Sequence, residues 1–412
     1  MDKIRSRNET FQIATSRETG LFNSKRICIL DSYVVIKTQK LYTGILNAVF
    51  LLNTIRDHRR GQGRRYDLAH ILLFSIMAVL SGSDSYRKIH LFIDVHYEQM
   101  DKYFGLRRKK VPAYTTVRNI ILNTSDSELE RIFREYGGFL SKGERDGAFV
   151  HCDGKTLRGS HDKFNDIKPI QILSTFAGGC GIILGHEKIE EKSNEIPAAR
   201  KLIEELGLSD RIFTFDALHC QEKTLRTAVE NGNDVIVQVK ENQKTLLNDC
   251  KAVATASVPD DVFTEPVEKT RNRIESRRAE VFFSPSLTDA EKWDSVQAVV
   301  KIDRFRQVFD TKKNERKDTH ETSFYVSTEI LSAKKICHGT RGHWRIENKD
   351  HYVRDVFMNE DRSRIRRNPH IFAKLRSLAL NILRKNKVKN ISRELFKNCM
   401  NIDRLFDYSG IF

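Results

Sequence analysis

Apolar residues recur at helical spacing through the first third of the chain. Side chains three and four positions apart share one face of an α-helix, and four runs repeat that spacing. The runs lie at residues 41–55, 67–82, 85–104 and 115–136. The pattern therefore predicts an all-helical domain over residues 41–136, and the glycine-containing segment at 137–147 predicts the linker that closes it. Residues 1–40 show no clear periodicity and receive no assignment.

Beyond residue 147 the apolar runs become short and are bounded by Gly, Asp or Asn, which is typical of strands. These strand-like runs are AFVHCDGKT, PIQILSTFAG, CGIILGHEKIE, RIFTFDA and DVIVQVKEN. Helical stretches follow at 195–206, 221–230 and 243–256. Three consecutive strands followed by alternating helices and strands predict a mixed α/β sheet flanked by helices.

A second change of pattern occurs at residues 257–330. Three runs there are rich in Val, Ile, Phe and Thr and have little helical period, so they predict a β-rich insertion. The chain becomes helical again from about 332 to 386, with breaks near Asn359 and Pro369. Residues 391–412 form a C-terminal tail.

The charge balance indicates a polyanionic partner. The chain has 71 basic and 55 acidic residues, a net charge of +16 and a pI near 9.5. Such a surplus points to nucleic acid or an anionic membrane surface. Residues 333–397 contain 18 basic and 6 acidic side chains, a net +12. The cluster Arg364, Arg366 and Arg367 in that segment predicts a phosphate-binding face, with a solvated helix as the alternative.

Several function classes find no support in the sequence. No apolar run approaches the roughly 20 residues of a membrane span, and no apolar core follows the polar N-terminus, so we expect neither a membrane segment nor a secretory signal. The 7 cysteines are scattered without a CxxC pair, which argues against a disulfide framework or a zinc knuckle. A reducing cytoplasm is the expected compartment. The motifs GxxxxGK[ST] and GxSxG are both absent.

Two aspartates stand where catalytic groups of α/β sheets usually lie. Asp153 follows the apolar run 148–152, and Asp216 ends RIFTF. Side chains at the carboxyl ends of strands project over the sheet edge, where sites form. Either aspartate alone could simply cap the next turn. Two of them in one predicted domain favour a site.

Glu347 is the third candidate. At helical spacing it shares one polar stripe with His343, His351 and Arg354. The alternative is a solvent-exposed, ion-paired helix. Asp350, Asp355 and Glu360 lie nearby but fall on other faces or beyond the break near Asn359. Three carboxylates suit phosphodiester chemistry, because two Mg²⁺ ions about 3.5–4 Å apart can serve the attacking and leaving oxygens, and Mg²⁺ prefers oxygen ligands.

Five motifs in order resemble the H-repeat-associated transposases, bacterial insertion-sequence proteins with a DDE catalytic domain. The motifs are CDGKTLRGS at 152–160, TFDALHCQ at 214–221, VKENQ at 239–243, EKTRNRIESRR at 268–278 and HWRIENKDHYVRDVFMNEDRSRIR at 343–366. The segment at 57–72, DHRRGQGRRYDLAHIL, is similar to that family's N-terminal transposase-associated domain. The resemblance covers roughly residues 41–384.

The resemblance implies a ribonuclease H-like DDE domain over residues 147–390, with the insertion before its last catalytic helix. A separate helical domain at 41–136 would recognise DNA ends. The implied catalytic and metal-holding triad is Asp153, Asp216 and Glu347, with two Mg²⁺ ions for which Mn²⁺ can substitute. In the wider group an arginine stands where this chain has His343, and a lysine where it has Arg354, so both are candidates for contact with the DNA end.

By the same resemblance, the protein would cut double-stranded DNA at the ends of an element and join the freed 3′-hydroxyl to target DNA. A homodimer on DNA and a location in the bacterial cytoplasm, at the nucleoid, follow as expectations. Trp344 is a candidate for stacking on an unpaired base. The candidates for phosphate contact, chosen by proximity to the motifs, are Lys155, Arg158, Lys240, Arg273, Arg277 and Arg354.

Two other functions stay open. The first is a stand-alone nuclease of the same fold, which hydrolyses DNA without strand transfer. The second is a decayed DNA-binding protein that keeps its basic surface. The presence of all three carboxylates argues against decay.

Overall fold

The structure is a computed structural model. It describes residues 51–141, 148–162, 164–190, 194–270, 272–311 and 314–408. The predictions for residues 1–50, for 142–147 within the expected linker and for 409–412 lie outside these described residues. No helix among the described residues is both long enough and apolar enough to cross a membrane.

Three of the four predicted helical runs, those at 67–82, 85–104 and 115–136, form four helices, and the run at 41–55 lies mostly outside the described residues. The four helices are α1 (Leu68–Leu80), α2 (Tyr86–Phe104), α3 (Tyr114–Leu122) and α4 (Asp126–Leu140). Helix α1 begins at Asp67, whose carboxylate accepts hydrogen bonds from the N–H groups of Ala69 and His70 at 2.9 and 3.3 Å. The run predicted as one helix at 115–136 is two, because Ser125 caps a new helix by accepting from the N–H of Glu128.

The sheet follows the predicted order of strands and helices. Its first five strands are β1 (Ala148–Thr156), β2 (Gln171–Ala177), β3 (Ile183–Ile189), β4 (Arg211–Phe215) and β5 (Asp234–Val239). Strands β1, β2 and β3 are antiparallel neighbours, while β1, β4 and β5 run parallel. The spatial order β3-β2-β1-β4-β5 is that of a ribonuclease H-like mixed sheet. Its connecting helices are α5 (Glu195–Leu206), α6 (Glu222–Glu230) and α7 (Lys244–Ala256).

The predicted β-rich insertion extends the same sheet. It contributes β6 (Asp261–Thr264), β7 (Glu268–Thr270), β8 (Arg273–Phe283), β9 (Ala298–Asp310) and β10 (Glu315–Ser327). Strand β10 pairs with β5, and β9, β8 and β6 follow it outward. The insertion therefore extends the hydrogen-bonded sheet to ten strands rather than forming a second sheet.

The C-terminal helices close the core. They are α8 (Ala333–Arg345), α9 (Pro369–Lys385), α10 (Ile391–Met400) and α11 (Asp403–Phe406). Helix α9 is buried along almost its whole length and packs against both α1 and α4. Asn381 of α9 exchanges two hydrogen bonds of 2.8 Å with the backbone of Ile183 in β3. One continuous core thus joins the helical region to the sheet.

The linker predicted at 137–147 is wrong in its first part. Gly137 lies inside α4, and a Cβ there would come within 2.9 Å of the Ile183 carbonyl oxygen. This glycine lets the helix approach β3 closely. In a sequence, a glycine needed for close packing looks the same as a glycine that marks a turn.

Candidate active site

The strand register brings Asp153 and Asp216 side by side. The last paired residues of parallel strands β1 and β4 are His151 and Thr214, which lie opposite each other. Asp153 lies two residues after His151 within β1, and Asp216 lies two residues after Thr214, just beyond the end of β4. Because side chains alternate between the two faces of a strand, each aspartate lies on the same face as the residue two positions before it. The strand itself continues past Asp153 to Thr156 beside β2, so the prediction that β1 ends at this aspartate is corrected.

Glu347 reaches the same edge from helix α8. Two glycines allow this helix to lie close on the sheet: a Cβ at Gly339 would overlap the ring of Phe149, and one at Gly342 would lie 2.7 Å from Nε2 of His151. After Arg345 the helix continues through two π-helical segments, Ile346–His351 and Val353–Phe357. Glu347 lies in the first of them, and such wide turns are frequent at functional sites.

All three predicted catalytic carboxylates line one cleft of about 210 Å³. Three of the predicted DNA contacts line it as well: Lys240 at the end of β5, and His343 and Trp344 on α8. Lys240 is exposed, and the Trp344 side chain is 54% exposed at the rim. The floor of the cleft also includes residues that the sequence did not single out, namely Thr214, Gln238, Tyr325 and Thr340.

The carboxylates repel one another. Burial raises the pKa of Asp153 to about 7, and the charges of Asp216, Glu347 and Glu195 act in the same direction, against a hydrogen bond donated by the N–H of Gly154. His351 lies 3.5 Å from Asp153, but burial lowers its pKa to about 4, so it brings little positive charge at neutral pH. The cleft therefore brings together carboxylates whose charges oppose the ionisation of Asp153.

A divalent cation fits this charge and this donor set. All three side chains offer oxygen atoms, the ligands that Mg²⁺ prefers, and a cation would relieve their repulsion. Within the described residues, no three His, Cys, Asp or Glu side chains come close enough together to hold one metal ion. The argument for a cation therefore rests on the oxygen donors of the three carboxylates and on the fact that all three line one cleft.

A chain of neutral polar groups lies beneath the cleft. Thr214 Oγ1 is 2.7 Å from Nδ1 of His151 and 3.1 Å from Nδ1 of His343. Burial lowers the pKa of His151 to about 3 and that of His343 to about 4, so both rings are uncharged. Through this contact, His343 fixes α8 to β1 and to the end of β4. His343 lies one residue before Trp344 and four before Glu347.

The structure buries Lys155 and Arg354 in ion pairs. Arg354 is 0% exposed and pairs with Asp350 at 3.4 Å and Glu360 at 2.8 Å. Lys155 is buried and pairs with Asp355 and, at 3.4 Å, with Glu360. The predicted polar stripe therefore fails at Arg354, while His351 stays beside Asp153, because the π-helical turns change the spacing and direct Arg354 inward. Both side chains are structural ion-pair partners rather than phosphate contacts.

This buried cluster is held by charge. Burial alone would raise the pKa of Glu360, but the charges of Arg354, Lys155 and Arg376 outweigh it and lower the pKa to about 2. The same cluster accounts for the other acidic residues near Glu347: Asp350 and Glu360 face Arg354, and Asp355 faces Lys155. None of these three lines the cleft.

The remaining predicted DNA contacts lie in two places. Arg273 and Arg277 lie on β8 and both pair with Glu275; Arg277 also pairs with Glu265 at 3.2 Å, so its side chain is largely occupied. Four others are exposed near the loop that follows the π-helical turns: Arg158, Arg364, Arg366 and Arg367. Two of these have nearby carboxylates, at 3.4 Å for Arg158 and Asp361 and at 3.9 Å for Arg366 and Asp162.

Glu195 is the carboxylate that the sequence analysis missed. A Cβ at Gly154 would overlap its carboxylate, and its Oε2 lies 3.6 Å from Nε2 of His219. Glu195 opens α5, where an acidic side chain is the ordinary partner of a helix N-terminus, so its sequence position gave no signal.

The mixed sheet and its flanking helices define a protein of the ribonuclease H-like class, and comparison with known proteins gives the family. Residues 152–383 match the model "Transposase DDE domain", and residues 50–137 match the model "DDE_Tnp_1-associated". The chain therefore belongs to the DDE transposase family. DNA is accordingly its partner class, and its activity is that of a DNA transposase.

Relatives with similar names cover most of the chain. It is 32% identical to "Putative transposase YncI" of Escherichia coli O157:H7 over 81% of this chain and 86% of the relative. It is 30% identical to "H repeat-associated putative transposase YhhI" of Escherichia coli (strain K12) over 82% and 90%. The piggyBac transposase in a synaptic complex with hairpin DNA is similar at a TM-score of 0.41 and 10% identity, covering 90% of this chain and 80% of that chain.

Proposed function

We propose that the protein cleaves phosphodiester bonds at the ends of an insertion sequence and transfers the freed strand into target DNA. The observation that carries this proposal is the convergence of Asp153, Asp216 and Glu347 on one cleft from three distant segments of the chain. Side chains that repel one another would not gather there for stability alone. Their common property is the ability to hold cations.

The three carboxylates would hold Mg²⁺, as the preference of that ion for oxygen ligands suggests. When bound, two such ions would activate the attacking oxygen and stabilise charge on the leaving oxygen. Asp153 and Asp216 are fixed by the strands, and Glu347 by the packing of α8 on His151 and Phe149. The chain's own contribution is therefore to hold three oxygen donors on separate rigid elements.

Positive and aromatic groups around the cleft would position DNA. Lys240 can neutralise a phosphate beside the carboxylates, and the exposed ring of Trp344 can stack on a base unpaired near the cut. Arg158, Arg364, Arg366 and Arg367 would contact the backbone further out, and Arg273 offers a weaker contact on β8. Transposition requires two ends to be held together, so we expect a homodimer on DNA, at the nucleoid of a bacterial cytoplasm.

The test compares two neighbouring carboxylates. Glu347→Gln keeps the size of the side chain but removes a metal-binding charge, so cleavage of terminal-repeat DNA with Mg²⁺ should fall to background while DNA binding persists. Asp355→Asn removes a charge that faces Lys155 outside the cleft, so it should lower stability or rate without abolishing cleavage. Full cleavage by Glu347→Gln would refute the triad.

A second substrate separates transposition from simple hydrolysis. A pre-cut duplex that carries a 3′-hydroxyl at the element end should be joined to target DNA by the wild-type protein. Nicked products without joined strands would instead indicate a stand-alone nuclease.

A further inference from the structure

A groove of about 850 Å³ lies between the start of α2 and the loop after the π-helical turns. One wall belongs to the helical region and the other to the catalytic domain. The residues that matter here are Tyr86, Arg87 and Lys88 on the first wall and Arg362 and Arg364 on the second. None of the first three was singled out by the sequence motifs.

The groove is positively charged and mostly unneutralised. Lys88 is paired with Asp84 at 2.7 Å. Arg87, Arg362 and Arg364 are exposed, and none forms an ion pair with a carboxylate in the described part of the chain. Three like charges around one groove repel one another unless an anion lies between them, so the groove suits a polyanion.

Tyr86 adds an independent sign of a ligand. The residue is only 7% exposed, and its ring is held edge-on against Phe372 with centroids 5.5 Å apart. Tyr86 lines the groove, and its hydroxyl is buried with no hydrogen-bond partner among the described residues. A buried hydroxyl without a partner is costly, which indicates that an acceptor is supplied from outside. A phosphate oxygen is such an acceptor.

Both catalytic segments lead from the cleft to this groove. Beyond Asp153, strand β1 ends at Thr156 and the following turn contains Arg158 and Gly159, where a Cβ at Gly159 would overlap the carbonyl oxygen of Ser363. Beyond Glu347, the helix ends near Asn359, whose Nδ2 donates to Asp84 at 3.1 Å. The wall that carries Arg362 and Arg364 is thereby fixed to β1 on one side and to the helical region on the other.

We propose that this groove holds the phosphodiester backbone of the DNA duplex whose scissile bond lies in the cleft. Arg87 would contact it from the helical region, and Arg362 and Arg364 from the catalytic domain, with the Tyr86 hydroxyl donating to a phosphate oxygen. The inference rests on the proposed function and adds to it a DNA-contact surface shared by the two regions.

The test measures how DNA affinity depends on salt. Each lost phosphate contact should make the slope of log K against log[salt] less negative by about 0.9. In the full-length chain, R87Q/R362Q/R364Q should reduce the steepness by about 2–3. The matched control K223Q/K251Q/K389Q removes the same charge from exposed lysines elsewhere and should change it far less. Tyr86→Phe should weaken binding about three- to tenfold without lowering the thermal midpoint.

The outcomes separate this inference from the proposed function. If the wild-type protein shows no salt-dependent binding to duplex DNA, both fail. If it binds but the groove triple variant and the control triple variant shift the slope equally, the groove proposal fails and the proposed function stands. Unchanged affinity of Tyr86→Phe would likewise remove the hydroxyl from the contact.

Discussion

Asp153 carries an electrostatic cost whenever the cleft holds no cation. It lies among Asp216, Glu347 and Glu195, and its pKa is raised to about 7 chiefly by burial. In the unfolded chain the same carboxyl titrates near its ordinary value of 3.8. The folded protein therefore keeps a proton on Asp153 between pH 4 and 7 that the unfolded chain has already released.

The sign of the resulting prediction follows from this difference. As pH rises from about 4 to 7, the free energy of unfolding of the protein falls, because folded Asp153 still binds a proton that the unfolded chain has released. With EDTA present at pH 7.5, Asp153→Asn should therefore raise the free energy of unfolding by at least about 1 kcal/mol, measured by urea denaturation. At pH 5 the gain should be smaller. The control is Asp407→Asn, at an exposed site, and equal behaviour of the two variants would contradict the assignment.

Single residues also mark the limit of sequence reasoning. The three proposed catalytic carboxylates were chosen from apparent strand ends and helix spacing, and the structure places all three on one cleft. Arg354 was misassigned, because an arginine in a basic segment looks solvent-exposed until its partners are known. Those partners, Asp350 and Glu360, are close in sequence, but their burial depends on α9, which contributes Arg376 to the same cluster.

Helix α8 depends on its glycines for its position. Gly339 faces the Phe149 ring directly, so a methyl group there must displace the helix from the sheet. We expect Gly339→Ala to reduce DNA cleavage strongly and to lower the thermal midpoint. The control is Gly138→Ala in α4, where an added Cβ would meet no atom within 4 Å outside the backbone of its own helix and its chain neighbours. Alanine at this position should stabilise the helix by up to about 1 kcal/mol. Unimpaired cleavage in Gly339→Ala would mean that α8 can shift without moving Glu347.

The order of elements was largely predictable, and their local deviations were not. Strands β1 to β5 and their helices follow alternating apolar runs, so the α/β assignment followed from the pattern. The division between α3 and α4 was missed because Ser125 interrupts an otherwise continuous apolar period. The π-helical segments around Glu347 have no sequence signature, since they depend on how the helix meets β1.

The helical region and the sheet share one core, and this should be visible in unfolding. The chain has two tryptophans, Trp293 and Trp344, both in the catalytic domain. Ile93 in α2 is fully buried, so Ile93→Ala should cost about 2–5 kcal/mol. If the helical region and the sheet unfold together, the unfolding midpoint measured by tryptophan fluorescence will fall in Ile93→Ala, although no tryptophan lies in the helical region.

The control for that measurement lies on the same helix. Leu91 is 59% exposed, so Leu91→Ala should leave the unfolding midpoint nearly unchanged. A fluorescence midpoint that ignores Ile93→Ala would show that the helical region unfolds separately. The predicted division at 41–136 and 147–390 would then describe independent folding units rather than two parts of one core.

The spacing of the triad along the chain has a consequence for the protein as it is made. Asp153 and Asp216 leave the ribosome long before Glu347, and the strands between them can pair in the meantime. The helix that carries Glu347 contains two glycines and gains its support only from a sheet that is already built. If Glu347 completes the catalytic site as proposed, a nascent chain would be unable to cut DNA, and the ability to damage a chromosome would arise only after Glu347 has been made and its helix has docked.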